Sequence, residues 1–200
     1  ELLRPALEVI GTAEGQRRVS GLYMVALRDR ELLFFADPVV NIDPDAQTLA
    51  DIALLTADFV QDLGIEPRIA MLSFSNFGSA RHPASEKMQE AAARVTELRP
   101  DLEIDGEMQA DTAVNTEILQ SQYPFSSLKR AANVLIFPNL AAANSSYKML
   151  SELGGAEVIG PILLGMRHPV QFLQRGSTVQ DVVNLVTLAS VDAQARAAQE

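Results

Sequence analysis

Three short stretches hold most of the side chains that could do chemistry. The first is Ser73-Phe74-Ser75-Asn76-Phe77-Gly78-Ser79-Ala80, where Ser75, Asn76 and Ser79 surround Gly78. A slim backbone with hydroxyl and amide partners can hold a phosphate or another polar ligand, and a plain strand-to-helix turn uses the same residue types. The second is Pro138-Asn139-Leu140-Ala141-Ala142-Ala143-Asn144-Ser145-Ser146-Tyr147-Lys148, which places an amide, a phenol and a cation (Asn144, Tyr147 and Lys148) near the expected start of a helix. A cation there opposes the helix dipole, which favours a phosphate-bearing ligand over a bare helix cap. The third is Gln174-Arg175-Gly176-Ser177-Thr178-Val179-Gln180-Asp181. Ser177 and Gln180 fit a capping box, with Asp181 in the favourable first turn, so helix capping accounts for this run and a binding role is the alternative.

Other chemistries find little support. His82 and His168 are the only histidines, each precedes a proline, and the chain has no cysteine, so no zinc site is expected. Asp105, Glu107 and Asp111 could offer oxygen ligands to magnesium, or serve as solvated and helix-capping carboxylates. The 73–80 loop lacks a P-loop lysine and the spacing of a dinucleotide fingerprint, and the chain has no G-x-S-x-G elbow. Neither a nucleoside triphosphate site, a Rossmann site nor a serine hydrolase is indicated.

These stretches need elements to position them. The runs Leu22–Leu27 and Glu31–Ala36, parted by Arg28-Asp29-Arg30, suit a hairpin or two adjacent strands. Asp43-Pro44-Asp45 predicts a helix start and Gly64 its end, with Leu49, Ile52, Ala53, Thr56, Phe59, Val60 and Leu63 on one face. An alternation follows: a strand at Ile69–Phe74, a helix from near Pro83 to Pro100, an extended piece at Leu102–Ile104, and a helix over about Asp111–Gln120. Then come a buried strand at Val134–Phe137, a helix from about Asn144 to Leu153, an apolar run at Val158–Leu164 broken by Pro161, and a long helix from about Thr178 towards Gln194. Repeated strand-helix order predicts an α/β fold, a mostly parallel sheet flanked by helices, with ligands at the carboxyl ends of strands.

The 200 residues are 48% hydrophobic and 21% charged, which suits a soluble globular chain with a sizeable core. A net charge of −10 repels phosphate backbones and anionic lipid, so neither nucleic acid nor membrane is an expected partner. No apolar run approaches the roughly 18 residues of a membrane span, and no export signal precedes Pro5, so a cytoplasmic setting is expected. The absence of an initiator methionine suits a piece of a longer polypeptide.

Six motifs, in order, resemble the phosphate acetyltransferase family: Asp37-Pro38-Val39-Val40-Asn41-Ile42-Asp43-Pro44, Met71 through Ala80, Asp105 through Asp111, Phe137-Pro138-Asn139-Leu140 through Asn144 to Tyr147-Lys148, Gly160-Pro161, and Arg175-Gly176 followed by Asp181. The resemblance is collinear over nearly the whole chain and corresponds to the C-terminal three-fifths of the family. It implies an isocitrate dehydrogenase-like fold, with residues 1–162 forming one α/β lobe and 163–200 belonging to a second lobe completed by other polypeptide. It also implies acetyl transfer between coenzyme A and phosphate in a cleft between the lobes. In that role Asp181 matches the base that takes the thiol proton, and Arg175 the arginine that holds acetyl phosphate, which a guanidinium can grip in bidentate fashion.

One position departs from the family: Gln174 stands where a serine would precede the arginine. The run Phe137–Lys148 and His168-Pro169-Val170-Gln171-Phe172-Leu173-Gln174-Arg175-Gly176 look closer to the phosphotransacetylase-like domain fused to the C-terminus of large bacterial NADP-dependent malic enzymes. That form implies an acetyl-CoA-binding, non-catalytic regulatory domain; the alternative is an active phosphate acetyltransferase. On either reading the expected ligand-binding residues are Ser79, Asn144, Tyr147, Lys148, Gln174 and Arg175, for acetyl-CoA, coenzyme A or acetyl phosphate. The segment itself is expected to hold no cofactor, NADP and a divalent metal belonging to the malic enzyme part. A homo-oligomer is expected, and helix residues 180–192 (Val182, Val183, Leu185, Val186, Leu188, Ala189) could pack in a neighbour's groove instead of the chain's own core.

Overall fold

A computed structural model describes residues 3–197; Glu1, Leu2 and the last three residues of the 163–200 segment lie outside them. Seven strands form one sheet: β1 (Ser20–Ala26), β2 (Leu33–Ala36), β3 (Arg68–Leu72), β4 (Glu103–Met108), β5 (Val134–Ile136), β6 (Glu157–Leu164) and β7 (Val170–Gln171), in the order β4-β3-β5-β2-β1-β6-β7. β4, β3, β5 and β2 pair in parallel, while β1 is antiparallel to both β2 and β6, and β7 to β6. β1 and β7 thus run against the other strands, so the sheet is mixed and mostly parallel, as the alternating sequence predicts. The expected hairpin is β1–β2, with Leu22 opposite Ala36 and Val25 opposite Leu33.

The central strands are apolar throughout because both faces are covered. Successive side chains of a strand point to opposite faces. Leu22, Met24, Phe34, Ala36, Ile69, Met71, Val134 and Ile136 therefore enter one core layer under α2 (Ala46–Asp62) and α3 (Pro83–Leu98). Tyr23, Val25, Leu33, Phe35, Ala70, Leu72, Leu135 and Phe137 enter the other, under α4 (Ala110–Val114), α5 (Thr116–Gln122) and α6 (Leu140–Gly154). A short α1 (Leu3–Val9) precedes β1, and α7 (Val179–Ala197) follows β7.

Several boundaries differ from the sequence reading, those of the helices through capping contacts. Asp45, not Asp43, caps α2, its Oδ1 accepting the Thr48 N–H at 2.8 Å, while Asp43 pairs with Lys87. β3 stops at Leu72, and Phe74 is exposed in the following loop. β4 extends to Met108 instead of ending at Ile104. The single helix expected over 111–120 is two, broken at Asn115, whose extended backbone lets its Oδ1 accept from the N–H groups of Glu117 and Ile118. α6 begins at Leu140 and not near Asn144, because Asn139 Oδ1 accepts the Ala142 N–H at 2.9 Å. Pro161 does not break β6. The pairing register shifts where Gly160-Pro161 lies, between Leu22↔Ile162 and Met24↔Ile159, and a bulge is where a strand tolerates a residue without an N–H. No helix among the described residues is long and apolar enough to cross a membrane.

Candidate functional site

Tyr23 lies in the middle of β1, in the layer covered by α6, and is 4% exposed. A Cβ added at Gly160 on the neighbouring β6 would come within 2.5 Å of the Tyr23 ring, so the missing side chain there makes room for the phenol. The ring stacks on Tyr147 of α6, with centroids 4.3 Å apart and planes 24° from parallel. Burial, followed by the contact with Tyr147, pushes the Tyr23 hydroxyl well above the ordinary phenol range and keeps it neutral. Its oxygen accepts a hydrogen bond from Gln174 Nε2 at 2.7 Å. The sequence reading passed over Tyr23; the available signal was a polar-tipped ring in an otherwise apolar strand.

Around this pair is a cavity of about 270 Å³. Lys148, Ser151 and Glu152 of α6 line it, with Val158 and Gly160 of β6, the loop Gln174–Ser177, and Asp181 from the first turn of α7. Lys148 and Arg175 are exposed cations facing a space that also takes in two carboxylates, Glu152 and Asp181. Five of the sequence-derived candidates, Tyr147, Lys148, Gln174, Arg175 and Asp181, thus share one cavity, brought together from the two segments 147–148 and 174–181.

Two details of their placement alter the argument from sequence. Lys148 sits in the third turn of α6, not at its N-terminus, so the expected conflict with the helix dipole does not arise and gives no reason for a phosphate there. At α7 the cap is Thr178 and Asp181 instead of Ser177 and Gln180. Asp181 Oδ2 accepts from the Thr178 N–H at 2.7 Å and hydroxyl at 2.9 Å, and the Asp181 N–H donates back to Thr178 Oγ1 at 3.2 Å. Ser177 Oγ instead accepts the Gln174 N–H, and Gln180 donates to Asn184. Asp181 Oδ1 carries no hydrogen bond among the described residues, which leaves one carboxylate oxygen available at the cavity.

Asn144 and Ser79 are not among the cavity's lining residues. Asn144 Nδ2 reaches the Pro38 carbonyl at 3.4 Å, linking α6 to the segment after β2. Ser79 Oγ accepts the Asn76 N–H at 3.0 Å and lies 3.2 Å from Ser75 Oγ, inside its own loop. Glu107, 1% exposed, holds that loop: its Oε1 accepts from the Ser75 hydroxyl at 2.8 Å and the Gly78 N–H at 2.7 Å. Gln109 adds two more bonds, its N–H donating to Asn76 Oδ1 and its Nε2 to the Phe74 carbonyl. The acidic residues grouped in the sequence do not converge. Asp105 Oδ2 accepts from the Ser126 hydroxyl and the Ser127 N–H, while Asp111 Oδ1 accepts the Thr112 N–H at the start of α4. No cluster of three possible metal ligands occurs among the described residues. His82 caps α3, its Nδ1 accepting the Ala84 N–H.

Comparison with known proteins places this arrangement in context. The chain is 42% identical over 193 residues to the phosphate acetyltransferase of Bacillus subtilis, covering 96% of this chain and 59% of that protein. It is 47% identical over 162 residues to the NADP-dependent malic enzyme of Escherichia coli, covering 80% of this chain and 21% of that protein. A solved phosphotransacetylase from Streptococcus pyogenes superposes with a TM-score of 0.88 at 42% identity, over 99% of this chain and 59% of that one. The chain therefore spans about three-fifths of the length of the phosphate acetyltransferase and phosphotransacetylase just described. The profile described as phosphate acetyl/butaryl transferase matches residues 1–190, and with the shared sheet, helices and near-complete coverage the chain belongs to that family.

Proposed function

We propose that this chain is the phosphotransacetylase-like regulatory domain of an NADP-dependent malic enzyme, an oxaloacetate-decarboxylating malate dehydrogenase, and that it binds acetyl-CoA without transferring the acetyl group. The carrying observation is the Gln174 side chain, which donates to Tyr23 and offers no hydroxyl at the position where the resemblance has serine. The 47% identity to a malic enzyme supports the same reading. On this reading Arg175 and Lys148 meet the phosphate-rich end of the ligand, with Tyr147 and Gln174 lining the thioester end. Charge-assisted hydrogen bonds of that kind are about twice as strong as neutral ones, so the cations dominate affinity. Ser79 and Asn144 join the site only through polypeptide or subunits outside this chain.

We assign residues 163–200 to a second lobe shared with such polypeptide, and expect the parent enzyme to be a cytoplasmic homo-oligomer. The apolar side chains that α7 exposes, including Val179 at 82% and Val186 at 64%, favour this arrangement, since a helix face of that kind is normally covered.

The test is phosphorolysis of acetyl-CoA by the complete natural polypeptide, following thioester loss with and without phosphate alongside malate oxidation. The expected result is no phosphate-dependent turnover, with malate oxidation responding to acetyl-CoA. Phosphate-dependent turnover would overturn the regulatory reading in favour of a second one, a working phosphate acetyltransferase. That reading draws on the open Oδ1 of Asp181 beside Arg175 in one cavity. In it Asp181 accepts the coenzyme A thiol proton, the thiolate attacks the acetyl carbonyl of acetyl phosphate, and the departing phosphate is held by Arg175.

A further inference from the structure

Arg175 sits on a loop that has very little holding it to the sheet. The bonds within the loop, Gln174 N–H to Ser177 Oγ at 3.0 Å and Ser177 N–H to the Gln174 carbonyl at 3.1 Å, only shape the turn. Thr178 and Asp181 tie the far end to α7. Gly176, with φ at +88°, lets the chain reverse there. Among the described residues, one hydrogen bond joins residues 173–177 to the sheet: Gln174 Nε2 to Tyr23 Oη. Tyr23 is well suited to anchor it. The residue is 4% exposed, stacked on Tyr147, and set against a glycine that a side chain would displace.

The amide nitrogen can only donate, so the Tyr23 oxygen is the acceptor in this bond. The loop is thus bonded to β1 at Tyr23, whose ring stacks on Tyr147 of α6, a residue that lines the cavity.

We propose that Tyr23 is the positioning residue of this site: through Gln174 it holds the loop that carries Arg175. This deepens the reading of the cavity as an acetyl-CoA site and rests on it. Gln174 acquires a role as well. It stands in for a serine as a structural tether, trading a hydroxyl at the acyl group for a fixed arginine.

The experiment uses the complete natural polypeptide with Tyr23→Phe, which keeps the ring and its stacking and removes one oxygen. Two readouts are taken. The first needs no ligand: hydrogen exchange of peptides spanning 172–178 is expected to rise in Tyr23→Phe and equally in Gln174→Leu, with no further rise in the double variant and no change in β2 or β5. Unchanged exchange across 172–178, or additive effects of the two substitutions, would overturn the tether whatever the cavity binds. The second is acetyl-CoA titration by calorimetry. Tyr23→Phe is expected to weaken binding about 3- to 10-fold, the range of one neutral hydrogen bond, and to have no effect in an Arg175→Ala background. An equal loss in both backgrounds would show that Tyr23 does not act through Arg175 and would overturn the positioning role. If the unaltered protein does not bind acetyl-CoA at all, the ligand assignment fails, while the exchange result still decides the tether.

Discussion

Asp181 shows how one side chain can serve two purposes. Its Oδ2 closes the reciprocal cap with Thr178, and its Oδ1 remains open at the cavity. The two roles separate by substitution. Asp181→Asn retains a cap acceptor and is expected to leave stability within about 0.5 kcal/mol, whereas Asp181→Ala is expected to cost about 1 kcal/mol, read as a lower urea midpoint with unchanged slope. Equal stability of the two variants would remove the cap from the account. Asp181→Asn also discriminates the functional readings: a transferase loses turnover and keeps its ligand, while a regulatory domain keeps its acetyl-CoA response. Of the candidate residues now sharing the cavity, Tyr147 and Lys148 stood out as a phenol and a cation in an alanine-rich stretch, while Gln174, Arg175 and Asp181 took their roles from the family resemblance. Tyr23 was hidden, since a tyrosine in an apolar strand reads as core until a partner for its hydroxyl is seen. Ser79 and Asn144 were picked out by residue type and by the motifs that contain them, and their hydrogen-bond partners are local or on another segment.

At the level of elements, apolar periodicity identified nearly every strand and helix, and the errors cluster at their ends. Asn139 and Asn115 explain two of them. Both side chains cap helices, and a sequence rich in small and polar residues around 138–146 presents several possible caps with no local reason to prefer one. The choice at Asn139 matters, because it puts Tyr147 and Lys148 about one turn further into α6 and brings Tyr147 over Tyr23. Asn139→Ala is expected to destabilise the protein by about 1 kcal/mol, measured by thermal or urea unfolding. Asn144→Ala serves as the comparison; a larger loss there than at Asn139 would mean that α6 starts where the periodicity alone suggested.

For the molecule as a whole, the question is what covers α7. Only Leu185 and Asp192 of this helix are buried, while Val179, Val183 and Val186 are each more than half exposed. In the complete polypeptide Val186→Asp is expected to lower the thermal midpoint by several degrees, because burying an unpaired carboxylate costs on the order of several kcal/mol, while the same change on a free surface stays within about 0.5 kcal/mol. An unchanged midpoint, with unchanged subunit association, would show that nothing packs on this face. By itself the sequence determined the class of fold, the two-sided core and the residues worth watching, because hydrophobic periodicity and residue chemistry are local properties that survive without coordinates. Tertiary structure decided which of those residues meet. The β1–β6 bulge, the glycine beside Tyr23 and the start of α6 bring together side chains more than a hundred residues apart, and such contacts depend on packing between elements that no local pattern encodes.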